Sequence, residues 1–119
     1  MTRALRALCL VTALALAGRA SAHAILISSQ PKEAAEVVGP DVDVSLEFNS
    51  RIDASRSSLQ LSRDGGEARP LALAETAAPN LLTAKVSGLA PGDYRLRWQV
   101  LSVDGHVSRG NMNFKVRAP

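Results

Sequence analysis

Apolar and polar residues alternate along several short stretches of the chain. In residues 42–48, 82–86, 94–100 and 112–116 every second residue is apolar, and the residues between are polar or charged. A period of two puts the apolar side chains on one face of an extended strand, so these stretches are predicted to be half-buried β-strands. No stretch after residue 22 follows the 3.6-residue period of an amphipathic helix. The pattern therefore predicts an all-β protein.

Three weaker strand candidates and a set of turn signals complete this pattern. The candidates are residues 24–28, 58–62 and 68–73, and Asp64-Gly65-Gly66 between the last two is a hairpin signal. Residues 72–80 have the weakest pattern and are predicted to be mainly a loop. Seven short strands separated by turns are typical of a seven-stranded Greek-key β-barrel or β-sandwich, and we predict that fold class.

All four aromatic residues fall on the apolar positions of predicted strands. They are Phe48, Tyr94, Trp98 and Phe114, and we expect them in the core, because aromatic side chains supply much of the apolar area that a small domain buries. Tyr94 also ends the segment Leu89-Ala90-Pro91-Gly92-Asp93-Tyr94, which is similar to the corner of β-sandwiches where a tyrosine hydroxyl bonds to upstream backbone. This corner supports the prediction of a sandwich.

The first 22 residues have the pattern of a targeting segment. Arg3 and Arg6 precede an apolar run over residues 8–17, and Ala20-Ser21-Ala22 is a small-x-small cleavage signal. The run is shorter than the roughly 20 residues that a transmembrane helix needs. We therefore expect residues 1–22 to be a cleaved signal peptide and residues 23–119 to form one exported domain.

Charge and cysteine content change once that segment is set aside. Arg3, Arg6 and Arg19 are three of the 14 basic residues, which leaves 11 basic and 11 acidic residues in the mature chain. We expect no nucleic-acid partner for a neutral domain, because nucleic-acid binding depends on basic surfaces. Cys9 is the only cysteine and precedes residue 23, so the mature domain is expected to have no disulfide.

The two histidines are the candidate chemistry of the chain. His23 is the first residue after the predicted cleavage, so its free α-amine and its ring Nδ1 together offer a chelate for a metal ion. His106 ends the segment Ser102-Val103-Asp104-Gly105-His106, in which Asp104 and His106 are two residues apart and point to the same side of an extended chain. Together these groups provide an amine, two imidazoles and a carboxylate.

This ligand set favours Cu(II). Cu(II) heads the affinity series of divalent ions at nitrogen and oxygen sites, although Zn²⁺ can use the same ligands. A Cu(I) site is disfavoured, because residues 23–119 contain no thiol and their only methionine, Met112, alternates with core residues. Taken alone, each histidine is also explained as an accident of processing or as part of an ordinary surface turn. Their combination favours a metal site.

Two segments resemble the hallmarks of a known family. Residues 23–31, with the sequence His-Ala-Ile-Leu-Ile-Ser-Ser-Gln-Pro, are similar to the mature N-terminus of the CopC family of periplasmic copper-binding proteins. Residues 94–106 resemble the second hallmark of that family, which ends in Ser-Val-Asp-Gly-His. The resemblance also includes Leu46-Glu47-Phe48 and residues 113–116, so it extends over essentially the whole mature chain.

The resemblance carries expectations about fold, metal and partner. It implies a cupredoxin-like or immunoglobulin-like β-barrel that binds Cu(II) through the N-terminal amine, His23, Asp104 and His106. It also implies copper handling in the periplasm, often beside an inner-membrane permease of the CopD type. The chain departs from some relatives, because it lacks a methionine-rich Cu(I) site and has Ser50 where they carry an acidic residue. We expect one Cu(II) per mature chain and a monomeric protein.

Three functions are compatible with these residues. The preferred hypothesis is a non-enzymatic Cu(II) carrier or buffer. The alternative is a small copper oxidoreductase, because an amine and two imidazoles around copper also form the histidine brace of lytic polysaccharide monooxygenases. Against it, the domain is small, Asp104 would occupy the position needed for oxygen, and no surface aromatic remains to stack on a sugar. The third hypothesis is an exported sandwich domain without a metal.

Overall fold

The computed structural model describes residues 23–119, which form eight β-strands. The predicted signal peptide, residues 1–22, lies outside the described residues. The strands are β1 (Leu26–Gln30), β2 (Ala35–Val38), β3 (Val42–Phe48), β4 (Ile52–Arg63), β5 (Arg69–Pro70), β6 (Leu81–Val86), β7 (Gly92–Ser102) and β8 (Val107–Arg117). Within residues 23–119, no helix has the length and apolar character needed to cross a membrane.

The strands form two sheets. One sheet has three antiparallel strands in the order β1-β3-β6, and the other has five strands in the order β2-β8-β7-β4-β5. In the larger sheet β2 runs parallel to β8, and the other pairs are antiparallel. β3 and β6 are neighbours although β4 and β5 separate them in sequence, so the chain crosses between the sheets as in Greek-key sandwiches. The prediction of an all-β fold class is confirmed.

The core consists of the alternating apolar positions of both sheets. All four aromatic side chains are buried, and Phe48 packs edge to face against Trp98 with ring centroids 5.2 Å apart. Met112 is buried as well, as its alternation predicts. Other fully buried side chains are Val44, Leu46, Leu59, Leu61, Leu82, Leu96, Val100 and Val116. Burial of apolar area is the main favourable contribution to folding, and residues 23–119, which contain no cysteine, have no disulfide to add to it.

The number and length of the strands differ from the prediction in two places. The sequence pattern misses β2, because only Ala35 and Val37 of its four residues are partly buried, and its pairing with β8 is a contact between distant parts of the chain. The candidate strand at residues 68–73 shortens to Arg69–Pro70 at the sheet edge. Proline has no N–H group to donate, so it suits an edge strand. The structure therefore has eight strands where the sequence pattern predicts seven.

Two local features predicted from the sequence are present, a hairpin turn and a tyrosine corner. β4 and β5 pair antiparallel across the turn that contains Asp64 and Gly65, and both residues have positive φ angles, 50° and 74°. The hydroxyl of Tyr94 donates a hydrogen bond to the carbonyl oxygen of Ala90 at 2.7 Å. That bond closes the tyrosine corner expected from the sequence.

Two elements carry the candidate metal ligands to one end of the sandwich. β7 and β8 pair over ten residue pairs, and the turn between them contains Asp104 and His106. β1 lies at the edge of the smaller sheet, where Leu26 is opposite Phe48 of β3 and a β-bulge lies between Leu26 and Ser28. The residues before β1 therefore lead from His23 directly into this sheet.

We expect Tyr94→Phe to destabilise the fold without affecting the metal end. The substitution leaves the carbonyl oxygen of Ala90 without its donor, which costs about 1 kcal/mol of unfolding free energy. Urea unfolding, followed by the fluorescence of the single tryptophan Trp98, measures the change. Because Tyr94 is near the start of β7 and Asp104 follows its end, metal affinity serves as the control and should be unchanged. Stability equal to that of the parent protein would contradict a stabilising role for the corner.

Candidate metal centre

The turn between β7 and β8 is closed by backbone hydrogen bonds. The N–H of Ser102 donates to the carbonyl oxygen of His106 at 2.8 Å, and the N–H of Gly105 donates to the carbonyl oxygen of Ser102 at 2.9 Å. Gly105 has a φ of 92°, a region that side chains disfavour and glycine adopts readily. The sequence Asp-Gly-His therefore turns sharply and presents Asp104 and His106 on the same tight loop.

The side chain of Ser102 makes hydrogen bonds to both Asp104 and His106 of this loop. Ser102 is only 3% exposed. Its hydroxyl donates a hydrogen bond to Oδ1 of Asp104 and accepts one from the backbone N–H of His106 at 3.2 Å. The residue types around the turn do not point to Ser102, although the alternation that buries Trp98 and Val100 also puts residue 102 on the inward face. A buried hydroxyl needs hydrogen-bond partners, and that requirement is the signal that identifies Ser102.

Asp104 also contacts the imidazole of His106. The distance between Nδ1 of His106 and Oδ1 of Asp104 is 3.3 Å. When Nδ1 of His106 carries the proton and donates a hydrogen bond to this carboxylate, Nε2 keeps its lone pair for a metal ion. A carboxylate that accepts from an imidazole in this way fixes the orientation of the ring, which is common around metal sites.

The hydrogen bonds to Asp104 lower the pKa of its carboxyl group. The main cause is the hydroxyl of Ser102, and the bonds and charge of His106 act in the same direction, while partial desolvation opposes them. Donors to the ionised form stabilise it. Asp104 is therefore a carboxylate well below neutral pH, and it is available both to orient His106 and to contact a cation.

His23 lies beside His106 at the same end of the sandwich. The centroids of the two rings are 5.5 Å apart and their planes meet at 73°. His23 itself is exposed, but the next residue, Ala24, is 4% exposed and belongs to the core. The fold thus brings together the two histidines from opposite ends of the described chain.

The three predicted ligands are close, but they do not form a closed cage. Within residues 23–119, no group of three or more His, Cys, Asp and Glu side chains is arranged to hold a metal ion. Asp104 contacts His106, and His106 contacts His23. The side chains of His106 and Asp104 are 54% and 47% exposed, so both are accessible to an ion from solvent. The joint assignment of His23, Asp104 and His106 as ligands stays a prediction.

Sequence relatives identify the family of this chain. A sequence model of the CopC domain matches residues 26–117. The chain belongs to the CopC domain family. Copper resistance protein C of Xanthomonas campestris pv. juglandis is 32% identical over 116 residues, which cover 91% of this chain and 91% of that protein. The resemblance predicted from the sequence is confirmed, although the family match begins after His23.

Solved structures of similar proteins have the same fold. CopC from Methylosinus trichosporium OB3b matches with a TM-score of 0.72 and 27% identity, over 81% of this chain and 95% of that one. PcoC, a methionine rich copper resistance protein from Escherichia coli, matches with a TM-score of 0.69 and 29% identity, over 81% of this chain and all of that one. Residues 23–119 of this CopC-domain chain, in contrast, contain Met112 as their only methionine, and it is buried.

We expect Ser102→Ala to raise the pKa of Asp104 toward the ordinary aspartate value. The substitution removes the donor that contributes most to the low pKa. Because the pKa is lowered in the folded protein, ionised Asp104 stabilises the fold at neutral pH, and this contribution is lost as the pH falls through the lowered pKa. A ¹³C NMR titration of the Asp104 carboxyl group in metal-free protein measures the change.

Ser108→Ala is the matched control for this experiment. Ser108 lies on β8, and its buried hydroxyl has no hydrogen-bond partner in the described part of the chain. Its removal should leave the pKa of Asp104 as it is in the parent protein. An unchanged pKa in Ser102→Ala would show that the serine hydroxyl does not donate to Asp104 in solution.

Proposed function

We propose that this CopC-domain protein binds Cu(II) outside the cytoplasm and acts as a copper carrier or buffer in copper homeostasis and resistance. The observation that carries the proposal is the 5.5 Å separation of the His23 and His106 rings, which come from opposite ends of the described chain. Its relatives include copper resistance protein C and PcoC. The names of these relatives support copper as the ion, and the paired imidazoles support its binding at this end of the fold.

The proposed ligands of one Cu(II) ion are the α-amine and imidazole of His23, Nε2 of His106 and the carboxylate of Asp104. The bonds from Ser102 and His106 both reach Oδ1 of Asp104, so we assign Oδ2 to the ion. Nitrogen and carboxylate ligands suit Cu(II), while Cu(I) prefers thiolate and thioether ligands. Because Met112 is buried in the core, it supplies no thioether to this site.

Export and metal binding are parts of the same proposal. Before cleavage, the nitrogen of His23 belongs to the Ala22–His23 peptide bond, where its lone pair is delocalised into the carbonyl group and does not bind a metal. Removal of residues 1–22 as a signal peptide creates the free amine. The Cu(II) site would then be completed only in the periplasm, and the cytoplasm would contain no tight Cu(II) site from this protein.

The same proposal includes a non-enzymatic monomer that exchanges copper with an inner-membrane permease of the CopD type. A copper oxidoreductase that acts on polysaccharides is disfavoured, because Phe48, Tyr94, Trp98 and Phe114 are all buried and leave no aromatic face for sugar rings. Peroxide formation by the copper-loaded protein with ascorbate tests this assignment. Sustained turnover would favour the oxidoreductase, whereas a carrier should give almost none.

We expect one additional residue before His23 to weaken Cu(II) binding by at least tenfold. Two proteins are compared, one beginning at His23 and one beginning with Gly followed by His23, and mass spectrometry verifies both N-termini. The added residue converts the α-amine of His23 into an amide and moves the free amine one residue away from the ring, so the chelate of the His23 α-amine and its own Nδ1 is lost. Competition with a Cu(II) chelator gives the affinity, and electron paramagnetic resonance gives the number of bound nitrogens. Equal affinities and equal hyperfine patterns would rule out the amine of His23 as a ligand.

We expect His106→Ala to weaken Cu(II) binding more than Asp104→Ala. The first substitution removes a nitrogen ligand, while water can partly replace the carboxylate oxygen of Asp104. The same competition titration measures both variants, and circular dichroism checks that the β-sandwich is retained. A larger loss in Asp104→Ala would mean that the carboxylate acts mainly by orienting His106. Unchanged affinity in both variants would contradict the proposed site.

A further inference from the structure

Asn49 extends the pairing of β1 with β3 beyond the last regular residue pair. The ladder ends with Leu26 opposite Phe48, so the next pair in register is Ile25 and Asn49. The backbone N–H of Asn49 donates to the carbonyl oxygen of Ile25 at 2.9 Å, as in a regular ladder. The return bond differs, because the N–H of Ile25 donates to Oδ1 of the Asn49 side chain at 2.8 Å. The side-chain amide replaces the backbone carbonyl where the chain leaves β3.

Asn80 makes a similar contact on the other side of β3. The regular pairing of β3 with β6 ends with Glu47 opposite Leu81, so Phe48 and Asn80 are the next pair. The N–H of Phe48 donates to the carbonyl oxygen of Asn80 at 2.9 Å, and Nδ2 of Asn80 donates to the carbonyl oxygen of Phe48 at 3.1 Å. Hydrogen bonds therefore fix the end of β3 on both of its edges, and Asn49 follows directly after this ordered end.

The contact with Asn49 is close to the proposed N-terminal ligand. Ile25 is two residues from His23, and the residue between them, Ala24, is buried in the core. Once the chain begins at His23, Ile25 is the first residue with both backbone groups bonded to β3 through Asn49. The bonds to Asn49 therefore hold the chain two residues after His23, on the side of β3 where His23 lies beside His106.

We propose that Asn49 is a positioning residue for the N-terminal copper ligand, a role that rests on the proposed Cu(II) site. It does not touch the ion in this assignment. It orders residues 23–25 before the metal arrives, so that the α-amine and imidazole of His23 are already beside His106. A ligand that is ordered in advance loses less conformational entropy on binding, and affinity rises accordingly.

The expected effect of Asn49→Ala is a Cu(II) affinity roughly five- to thirtyfold weaker, the factor that corresponds to ordering the backbone of one residue. The ¹⁵N relaxation of residues 24 and 25 in metal-free protein gives a second readout, and it should show faster motion in the variant. Asn111→Ala is the matched control, because Asn111 is an exposed asparagine on β8 away from β1. It should change neither measurement.

Asn49→Asp is the conservative rescue. Its carboxylate accepts a hydrogen bond from Ile25 as the amide oxygen does, so order at residues 24 and 25 and Cu(II) affinity should be at least those of the parent. A loss as large as in Asn49→Ala would overturn the proposal. So would an affinity for Asn49→Ala equal to that of the Asn111→Ala control.

A double-mutant cycle separates this inference from the proposed site. Asn49→Ala is measured in the protein that begins at His23 and in the protein with an added Gly before it. If Asn49 acts through the terminal ligand, its effect should largely disappear in the extended protein, because that ligand is already lost. Equal effects in both backgrounds would overturn the role of Asn49. If the added Gly itself has no effect on affinity, the proposed ligand set fails instead.

Discussion

The long antiparallel pairing of β7 with β8 is the interaction on which the rest of the structure depends. Its ten residue pairs supply the centre of the larger sheet, and its inward residues form much of the core. The same alternation continues to Ser102, where a buried hydroxyl takes the place of an apolar side chain. The turn that contains Asp104 and His106 thus starts from Ser102, the last inward residue of β7, and the pairing of β7 with β8 determines its geometry.

The sequence predicts the parts of this protein that depend on local patterns. The period of two identifies the long strands, the inward aromatics and Met112, and Asp64-Gly65-Gly66 identifies a turn. β2 is missed because its pairing with β8 stabilises it, and the four residues of β2 contain no pattern that indicates a partner so distant in sequence. The alternation of apolar and polar residues indicates individual strands, but it does not indicate which strands pair with one another.

The candidate site shows the same division. His23, Asp104 and His106 are recognisable from their residue types and from the resemblance to the CopC family, and the fold brings the two imidazoles together. The contacts of Ser102 and Asn49 depend on the direction of single hydroxyl and amide groups. Such directions are set by where the backbone leaves a strand, so they are visible only once the register is known.

The position of β1 at the sheet edge has a consequence for solubility. An edge strand exposes unpaired N–H and C=O groups that can pair with another molecule. Here Ile27 of β1 and Ile25, the residue just before that strand, are also 57% and 59% exposed. The bulge between Leu26 and Ser28 breaks the regular spacing of those groups. This edge is therefore a poor template for a second strand, and the exposed His23 lies just before a strand whose edge is too irregular for strand-to-strand assembly.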